Sequence, residues 1–510
     1  MKKILLSALF SFSVSLIAQD TTAIYYASTI NEADLERHLT VLASDSLEGR
    51  ETGQKGQKLA ADYIARHFES IGIAPYNGES YYQEFPLLTQ KLSAGSLSIN
   101  GVKLSFLEDY YTLPYYGSTS FSFDEVQTVG FGLDEIACSD YRNIDIKDKV
   151  VLAFTTSWLS DKEKKKLGIE NPIDWEYQLE KAYAHGAQAV IFVGDDVKSR
   201  LKKYGAYFKK DKRSVFTEGA QYKIPFFFID GSSVESLFGL SAKKLKKKSL
   251  RCKYASLKVY GKAVSEVEST LVYGENVLGY MPGTDLKEEL LVITAHYDHI
   301  GIHDGVIHNG ADDDGSGTVA ILELAEAFAK AKADGHGPRR SVLFMPVSGE
   351  EMGLLGSSYY SENPVFPLEN TIADLNIDMI GRMDEKHEGN PDYVYLIGSD
   401  KLSTELHQIS EDANTLYTQM ELDYTFNDPE DPNRFYYRSD HYNFAKHNIP
   451  VIFYFNGVHA DYHKPTDTIE KIHFGKIANI SKLIFHTAWD LVNQDKRIVV
   501  DVESDFKNNR

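Results

Sequence analysis

The chain has 510 residues, of which 43% are hydrophobic and 25% are charged, and its formal net charge is −20. A chain of this length exceeds one simple core, so we expect at least two domains. The acidic balance disfavours nucleic acids and anionic membranes as partners, and two cysteines are too few for a disulfide-built scaffold.

The first 18 residues predict a signal peptide. Lys2 and Lys3 precede an apolar run over residues 4–17 that is too short to span a bilayer, and cleavage would follow Ala18. We therefore expect an exported protein, periplasmic or extracellular, with no integral membrane span once the signal is removed. A retained N-terminal anchor is the alternative. Export would also allow Cys138 and Cys252 to form one disulfide bond.

Residues 19–108 form the N-terminal part of the predicted main domain. Residues 32–43 and 56–71 have the periodicity of amphipathic helices, and Ala60, Ile64 and Phe68 share one face of the second. Residues 47–53 between them are rich in turn-forming types.

Residues 109–260 have a different pattern and are predicted to be an inserted, β-rich or α/β domain. Short apolar segments at 126–131, 150–154, 189–193 and 226–229 are typical of strands. The segment contains no metal-ligand spacing and no nucleophile motif. The lysine-rich run at 243–248 is best explained as a solvated helix face or loop.

Residues 261–510 alternate short apolar strands with longer helical segments. The strands are predicted at 290–295, 342–347, 375–380, 394–397 and 451–455, and a helix is predicted over 318–330. This alternation predicts a mixed, largely parallel sheet with helices on both faces. In such sheets the functional residues gather at the carboxyl ends of the strands.

Five candidate metal ligands lie at or just beyond these strands: His296, Asp313, Glu351, Asp378 and His463. Two imidazoles and three carboxylates make a nitrogen and oxygen set that suits zinc, and a shared carboxylate can hold two ions. The three consecutive aspartates at 312–314 need a cation to fold around. Calcium is the general alternative there, but the EF-hand spacing is not matched.

Two further acids accompany the ligands. Asp298 lies two residues after His296 and can accept the imidazole N–H, which fixes the ring for metal binding. Glu350 precedes Glu351 and can serve as a general base beside metal-activated water. The contiguous Ser-Asp-His at 439–441 cannot adopt the geometry of a serine-hydrolase triad.

These motifs together resemble the co-catalytic dizinc aminopeptidase family (metallopeptidase family twenty-eight). The resemblance runs, in order, through His-Tyr-Asp-His, Gly-Ala-Asp-Asp-Asp-Gly-Ser-Gly, Gly-Glu-Glu-Met-Gly, Asn-Ile-Asp-Met-Ile-Gly, Arg-Ser-Asp-His and Asp-Tyr-His-Lys-Pro-Thr-Asp-Thr. It covers residues 21–105 and 262–500. The insertion resembles a protease-associated domain, chiefly at 186–191 and 224–229.

The resemblance implies the zinc exopeptidase fold and two Zn²⁺ ions per chain. Asp313 would bridge the ions, and the peptide bond after it is typically cis in this family. His296 and Asp378 would complete one zinc site, and Glu351 and His463 the other.

The same resemblance implies roles around the metals. Asp298 would orient His296, and Glu350 would act as general base. Tyr437 would help to polarise the substrate carbonyl, and Arg438 would bind the substrate backbone.

The leading hypothesis is therefore a secreted aminopeptidase that removes N-terminal residues from peptides through a zinc-bridged hydroxide. A carboxypeptidase or dipeptidase of the glutamate carboxypeptidase kind is an alternative, because Arg438 could also hold a terminal carboxylate. A non-catalytic, receptor-like protein is a third hypothesis, which the complete ligand set disfavours. The sequence indicates neither a side-chain preference nor an oligomeric state.

Overall fold

The computed structural model describes residues 19–134, 139–169, 173–209, 211–216 and 223–503. The predicted signal peptide and Cys138 lie outside these ranges, so export and the disulfide bond stay predictions. Within them, no helix is both long enough and apolar enough to cross a membrane.

The helices, in chain order, are α1 (Thr21–Ala27), α2 (Glu32–Leu42), α3 (Lys55–Ser70), α4 (Asp161–Leu167), α5 (Trp175–Ala184), α6 (Val197–Lys209), α7 (Val234–Phe238), α8 (Ala242–Ser249), α9 (Gly317–Ala333), α10 (Leu355–Glu362), α11 (Thr404–Ala413), α12 (His441–Ala445) and α13 (Phe474–Asn493). The strands are β1 (Ala74–Pro75), β2 (Tyr82–Ile99), β3 (Val102–Leu104), β4 (Tyr110–Tyr111), β5 (Thr119–Thr128), β6 (Val150–Phe154), β7 (Ala189–Gly194), β8 (Lys212–Val215), β9 (Phe226–Asp230), β10 (Ser256–Val277), β11 (Gly279–Met281), β12 (Leu286–His296), β13 (Gly301–His303), β14 (Val306–His308), β15 (Arg340–Val347), β16 (Thr371–Ile377), β17 (Tyr393–Ile397), β18 (Glu421–Asp423) and β19 (Val451–Phe455).

The chain divides into two units, and the division differs from the predicted one. The first unit contains residues 1–85 and 273–510, and the second is Pro86–Val272, wider than the predicted insertion at 109–260. The reason is that residues 86–99 of β2 and residues 102–104 of β3 pair with each other, and β2 also pairs with β8 of the second unit. The assignment of the second unit as a protease-associated domain stays a prediction.

The first unit is built on a sheet with the strand order β1-β11-β15-β12-β16-β19-β17-β18. Its centre is parallel, because β12 pairs in parallel with β15 and β16, and β16 pairs in parallel with β19. Antiparallel pairs at β11–β15 and β17–β19 make the sheet mixed. The predicted fold class, a mixed and largely parallel sheet flanked by helices, is confirmed.

The apolar residues of β12 alternate between two cores. Leu291 and Ile293 belong to the cluster that contains α9 and α13. Leu290 and Val292 belong to a second cluster on the other face, together with Tyr360 of α10. A strand buried on both faces needs apolar residues at every position, which explains the uninterrupted hydrophobic runs in the sequence.

The second unit has its own sheet, in which β5, β6, β7 and β9 are consecutive parallel neighbours. Strands β6, β7 and β9 coincide closely with the predicted segments at 150–154, 189–193 and 226–229. Apolar residues cover both faces of this sheet and form two clusters, one of which contains Val150 and Ile191 and the other Val151 and Val190. Because successive residues of each strand point to opposite faces, the second unit has its own hydrophobic core on each face of its sheet.

A buried arginine ties the turn before α3 to the loops that follow β12. Arg50 is 1% exposed, and its guanidinium donates hydrogen bonds to four backbone carbonyls: Leu42 at 2.5 Å, Asn309 at 2.6 Å, Tyr297 at 2.7 Å and Gly310 at 2.9 Å. The preceding Gly49 has φ +68°, and a Cβ there would approach the carbonyl oxygen of His308 to 2.3 Å. The turn therefore requires glycine to lie against that loop.

We predict that Arg50→Lys lowers the free energy of unfolding by about 3 kcal/mol, because an ammonium cannot serve all four carbonyls and leaves buried acceptors without donors. Urea denaturation measures the change. Arg66→Lys is the matched control, since Arg66 pairs with Asp62 on the exposed surface of α3 and its replacement should cost less than about 0.5 kcal/mol. Equal stability of the Arg50→Lys protein and the wild type would contradict this role.

Candidate metal centre

The parallel strands bring the five predicted ligands to one edge of the first unit's sheet. His296 is the last residue of β12, Glu351 follows β15, Asp378 follows β16 and His463 lies in the segment after β19. Asp313 lies in the turn immediately before α9. Because these strands run in parallel, their carboxyl ends meet, and the five side chains form one cluster.

The cluster has two halves that share Asp313. On one side, His296 Nε2 lies 3.3 Å from Asp313 Oδ1 and 3.6 Å from Asp378 Oδ1. On the other, His463 Nε2 lies 3.1 Å from both Asp313 Oδ2 and Glu351 Oε2. Zinc–ligand bonds of about 2.0–2.2 Å place tetrahedral ligand atoms about 3.3–3.6 Å apart, so these spacings suit a metal ion in each half.

The donor set also has the character of a cation site. His296 Nε2 and Asp313 Oδ2 are buried, and apart from their ion-pair neighbours within the cluster they have no hydrogen-bond partner among the described residues. Buried polar atoms without partners are costly, and buried carboxylates without a counter-charge more so. A divalent cation would satisfy these atoms together, so the residues fit the group that the sequence predicts.

The ionisation of the cluster follows from the crowding of its charges. Burial by itself would lower the pKa of His296, but the carboxylates of Glu350 and Asp378 raise it well above its usual value. Burial would also lower the pKa of His463, but the carboxylates of Asp313 and Glu351 raise it to about 10. The imidazoles thus hold protons for the carboxylates, and a bound cation would replace those protons.

Glu350 differs from the other acids of the cluster. Its Oε2 lies 3.9 Å from His296 Nε2, and its side chain is 13% exposed. Burial raises the pKa of Glu350 well above its usual value, an effect that His296 opposes and Asp378 reinforces. Glu350 therefore lies next to His296 and lines the same cavity as Asp313, while its role as general base stays a prediction.

Asp298 is next to His296, but not with the expected contact. The nearest acceptor to His296 Nδ1 is the backbone carbonyl of Asp298, at 3.1 Å, whereas its carboxylate Oδ1 is 3.7 Å away. The carboxylate instead accepts from the Thr52 hydroxyl at 2.8 Å and from the backbone N–H of Glu350 at 3.3 Å. Asp298 thus positions both His296 and Glu350, through different atoms.

The three consecutive aspartates have different roles. The outer two hold the turn to the segment after β16: Asp312 Oδ1 accepts from the Gly381 N–H at 2.6 Å, and Asp314 Oδ1 from the Met379 N–H at 2.9 Å. Only Asp313, between them, contributes to both halves of the cluster. The peptide bond from Asp313 to Asp314 is cis, as the family resemblance implies.

The two remaining predicted site residues are in different places. Arg438 lines the cavity that Asp313, Glu350 and Asp378 also line. Tyr437 does not line that cavity; it lines a separate one with Lys401 and Arg434. The structure therefore does not bring Tyr437 together with the cluster. Tyr437 and Arg438 are consecutive residues at the end of the helical turn that begins at Phe435, and they face different cavities.

Sequence reasoning missed three residues at the cluster. Tyr462 lines the cavity with Glu350, and its ring stacks on that of His463 with centroids 3.9 Å apart. His299, which the sequence suggests is an ordinary loop residue, is fully buried with Nδ1 2.8 Å from Glu351 Oε1. Ser439 donates to Asp378 Oδ2 at 2.6 Å. Of these three residues, only Tyr462 is adjacent in sequence to a predicted ligand, His463, and this adjacency was the signal that could have identified it.

Apolar side chains form the remaining wall of the cavity. They are Met379, Phe435, Phe453, Phe455 and Val458. The cavity thus combines a charged end, whose donor atoms fit a cation, with an apolar end. Metal-dependent hydrolases use such a combination to bind one end of a substrate.

Comparison with known proteins agrees with this class. Residues 276–488 match the model of Peptidase family M28, the family that the motifs resemble. The chain is 30% identical over 223 residues to a probable leucine aminopeptidase of Arthroderma otae, which covers 42% of this chain and 57% of that protein. It is 26% identical over 244 residues to aminopeptidase YwaD of Bacillus subtilis, which covers 44% of this chain and 46% of that protein.

The chain thus spans about half the length of the curated relatives it matches. Among solved structures, the aminopeptidase from Aneurinibacillus sp. strain AM-1 superposes with a TM-score of 0.57 at 17% sequence identity, covering 94% of this chain and 99% of that one. A likeness at this identity shows that the two proteins share a fold.

We predict that Zn²⁺ raises the melting temperature of the wild-type protein and that Asp313→Asn removes most of this shift, because Asp313 is shared by both halves of the cluster. Saturation at a hundredfold excess over Kd stabilises a folded protein by about 2.7 kcal/mol. Thermal denaturation with zinc and with a chelator measures the shift. His303→Gln, a loop histidine outside the cluster, should behave as the wild type. A wild-type shift in the Asp313→Asn protein would contradict the assignment.

Proposed function

We propose that this protein is an exported zinc-dependent aminopeptidase. The observation that carries the proposal is the position of Asp313 between two sets of ligand atoms, with Glu350 beside it. The match to Peptidase family M28 and the names of the relatives support hydrolysis of peptide bonds. The N-terminal sequence supports export.

Two zinc ions would be held by the two halves of the cluster. His296 and Asp378 would bind one ion, Glu351 and His463 the other, and Asp313 both. When bound, such a pair polarises a carbonyl oxygen and lowers the pKa of water at the site.

The chain's own residues would then move the proton. Glu350 takes a proton from the water that attacks the first peptide carbonyl, and a carbon–oxygen bond forms. The carbon–nitrogen bond then breaks, and Glu350 gives the proton to the departing amine. Asp298 keeps Glu350 in place through the hydrogen bond from the Glu350 backbone N–H.

The cavity residues would bind the substrate. The first side chain of the peptide occupies the apolar end, near Phe435 and Phe453. The Tyr462 hydroxyl lies at the same cavity as Glu350, so we assign to Tyr462, rather than to Tyr437, the donor to the carbonyl oxygen. Arg438 faces the substrate backbone.

One observation favours a second candidate. Arg438 is exposed at the cavity, and its described contact is with the ring of Phe435, 4.9 Å from the guanidinium carbon to the centroid. A guanidinium without a described acidic partner can bind a terminal carboxylate, which is what a carboxypeptidase requires. The names of the relatives favour the aminopeptidase.

A panel of short peptides separates the two candidates. Each peptide is offered with a free or acetylated N-terminus and with a free or amidated C-terminus, in the presence of zinc and after chelation. Chelator-sensitive cleavage that requires the free N-terminus establishes the aminopeptidase. Cleavage that tolerates acetylation but requires a free C-terminus establishes the carboxypeptidase instead.

We predict that Glu350→Gln lowers kcat by about 10²–10⁴-fold, because the amide cannot accept the proton of water. Its zinc content, measured by plasma mass spectrometry, should equal that of the wild type, since Glu350 is not among the proposed ligands. Glu369→Gln, at an exposed position before β16 and so at the end of that strand opposite to Asp378, controls for loss of a carboxylate. Wild-type turnover by the Glu350→Gln protein would refute the proton-transfer role.

We predict that Tyr462→Phe lowers kcat by about 10²-fold, the effect of losing one hydrogen-bond donor to the developing oxyanion. Tyr437→Phe serves as the matched control and should retain a kcat near that of the wild type. Steady-state kinetics on the best peptide of the panel compares the two variants. The reverse result, with Tyr437→Phe impaired and Tyr462→Phe active, would return the role to Tyr437.

A further inference from the structure

A second cluster of metal-binding side chains lies at the far edge of the first unit's sheet. His387 belongs to the helical turn Glu385–His387 that precedes β17, and Glu421 and Asp423 belong to the edge strand β18. One ligand atom from each of these three residues lies within 4.8 Å of the others. None of the three is a predicted ligand of the catalytic centre.

The imidazole of His387 is held in one orientation. Its Nδ1 lies 2.8 Å from Asp384 Oδ1, and its ring stacks on that of Tyr393 with centroids 3.6 Å apart and an interplanar angle of 11°. Asp384 is fixed in turn, because its Oδ2 accepts a hydrogen bond from the Tyr395 hydroxyl at 2.6 Å. A carboxylate behind one nitrogen, with the other nitrogen directed away from it, is the arrangement that prepares histidine for metal binding.

The other nitrogen of His387 faces two carboxylates. Nε2 lies 3.4 Å from Asp423 Oδ2 and 3.7 Å from Glu421 Oε1. The His387 side chain is only 4% exposed, and Nε2 has no hydrogen-bond partner among the described residues. The separations of 3.4 and 3.7 Å at His387 exceed a normal hydrogen bond and are close to the 3.1–3.6 Å of the catalytic cluster.

We propose that His387, Glu421 and Asp423 bind a structural divalent cation, with zinc as the ion that one imidazole and two carboxylates suit best. Asp384 orients His387 and does not contact the ion. Glu421 is 55% exposed at the side chain, so the site opens to solvent on that side and water completes the coordination.

Lys386 is the competitor of this cation. Its ammonium contacts Asp423 Oδ2 and donates to the Thr425 hydroxyl at 3.1 Å, but the lysine side chain is 52% exposed and can turn to solvent when a cation takes over as the counter-charge of buried Asp423. Without a cation, the alternative is that Lys386 alone is the counter-charge of Asp423. The two states differ in metal content, so a measurement of bound metal distinguishes them.

The cluster lies next to a cavity that adjoins the one at the catalytic centre. Asp384 and Lys386 line this open cavity, and Arg438 and Tyr462 line both cavities. A cation on His387 would join the segment that contains Asp384 to the edge strand β18. The ion would thereby stiffen the wall of the cavity without taking part in the reaction.

The zinc content of the full chain tests the proposal independently of the catalytic assignment. The protein is loaded with Zn²⁺, passed through a desalting column and analysed by plasma mass spectrometry. We expect three zinc ions per chain in the wild type, two in Glu421→Gln, and one in Asp313→Asn. If the catalytic proposal alone fails, the wild type holds one ion, and Glu421→Gln holds none.

Glu421 is exposed, so Glu421→Gln should fold even if a change at buried His387 does not. Lys386→Met removes the competing ammonium and should tighten the third ion by about tenfold in a zinc titration, corresponding to about 1.4 kcal/mol. Anomalous scattering at the zinc edge from crystals of the wild type should place a peak between His387 Nε2 and Asp423. The same zinc content in the wild type and Glu421→Gln, or no anomalous peak there, overturns the proposal.

Discussion

The structure of the first unit depends on one electrostatic constraint: several carboxylates meet at the carboxyl edge of a parallel sheet, in a region that water hardly reaches. Two like charges 4 Å apart repel by about 4 kcal/mol at the effective dielectric constant of partly buried sites. Asp313, Glu350, Glu351 and Asp378 are within this range of shared histidines. The cluster therefore needs bound protons or bound cations as counter-charges, and this requirement supports the proposed metal site.

Hydrogen bonds between side chains and backbone groups hold the segments that contain these carboxylates in place. Asp467 accepts from the N–H groups of Asp312 and Asp313, at 3.0 and 3.2 Å, and thus joins the aspartate turn to the segment that contains His463. Arg50 performs a similar task beneath the loops that follow β12. The candidate ligands lie at or after the ends of four strands and in one turn. Hydrogen bonds between these segments therefore set the spacing of the ligands, and no single element does so. A frame of this kind keeps a site ready for a metal ion.

The two proposed kinds of metal site use the same chemistry with different consequences. In both, a histidine has one nitrogen directed at carboxylates while the other is held by an oxygen of the protein. The catalytic cluster borders a cavity and contains an additional acid, Glu350, which gives it a means of moving protons. The additional acid of the cluster at His387, Asp384, is held by His387 and the Tyr395 hydroxyl, and the cluster includes an edge strand, where a cation would join two segments. The groups around the proposed ligands, and not the ligands themselves, distinguish the proposed catalytic site from the proposed structural site.

The sequence alone determined the sheet and indicated the five candidate ligands that the structure places together, because apolar runs buried on both faces and polar residues at their carboxyl ends are local patterns. It could also indicate the family, since Asp313, Glu351 and His463 lie in short contiguous motifs. Only the tertiary structure decided which neighbours face the site: Tyr462 rather than Tyr437 lines its cavity, and His299 is buried against Glu351. The direction of a side chain in a turn and the pairing of β2 depend on contacts between residues distant in sequence, which no local pattern records.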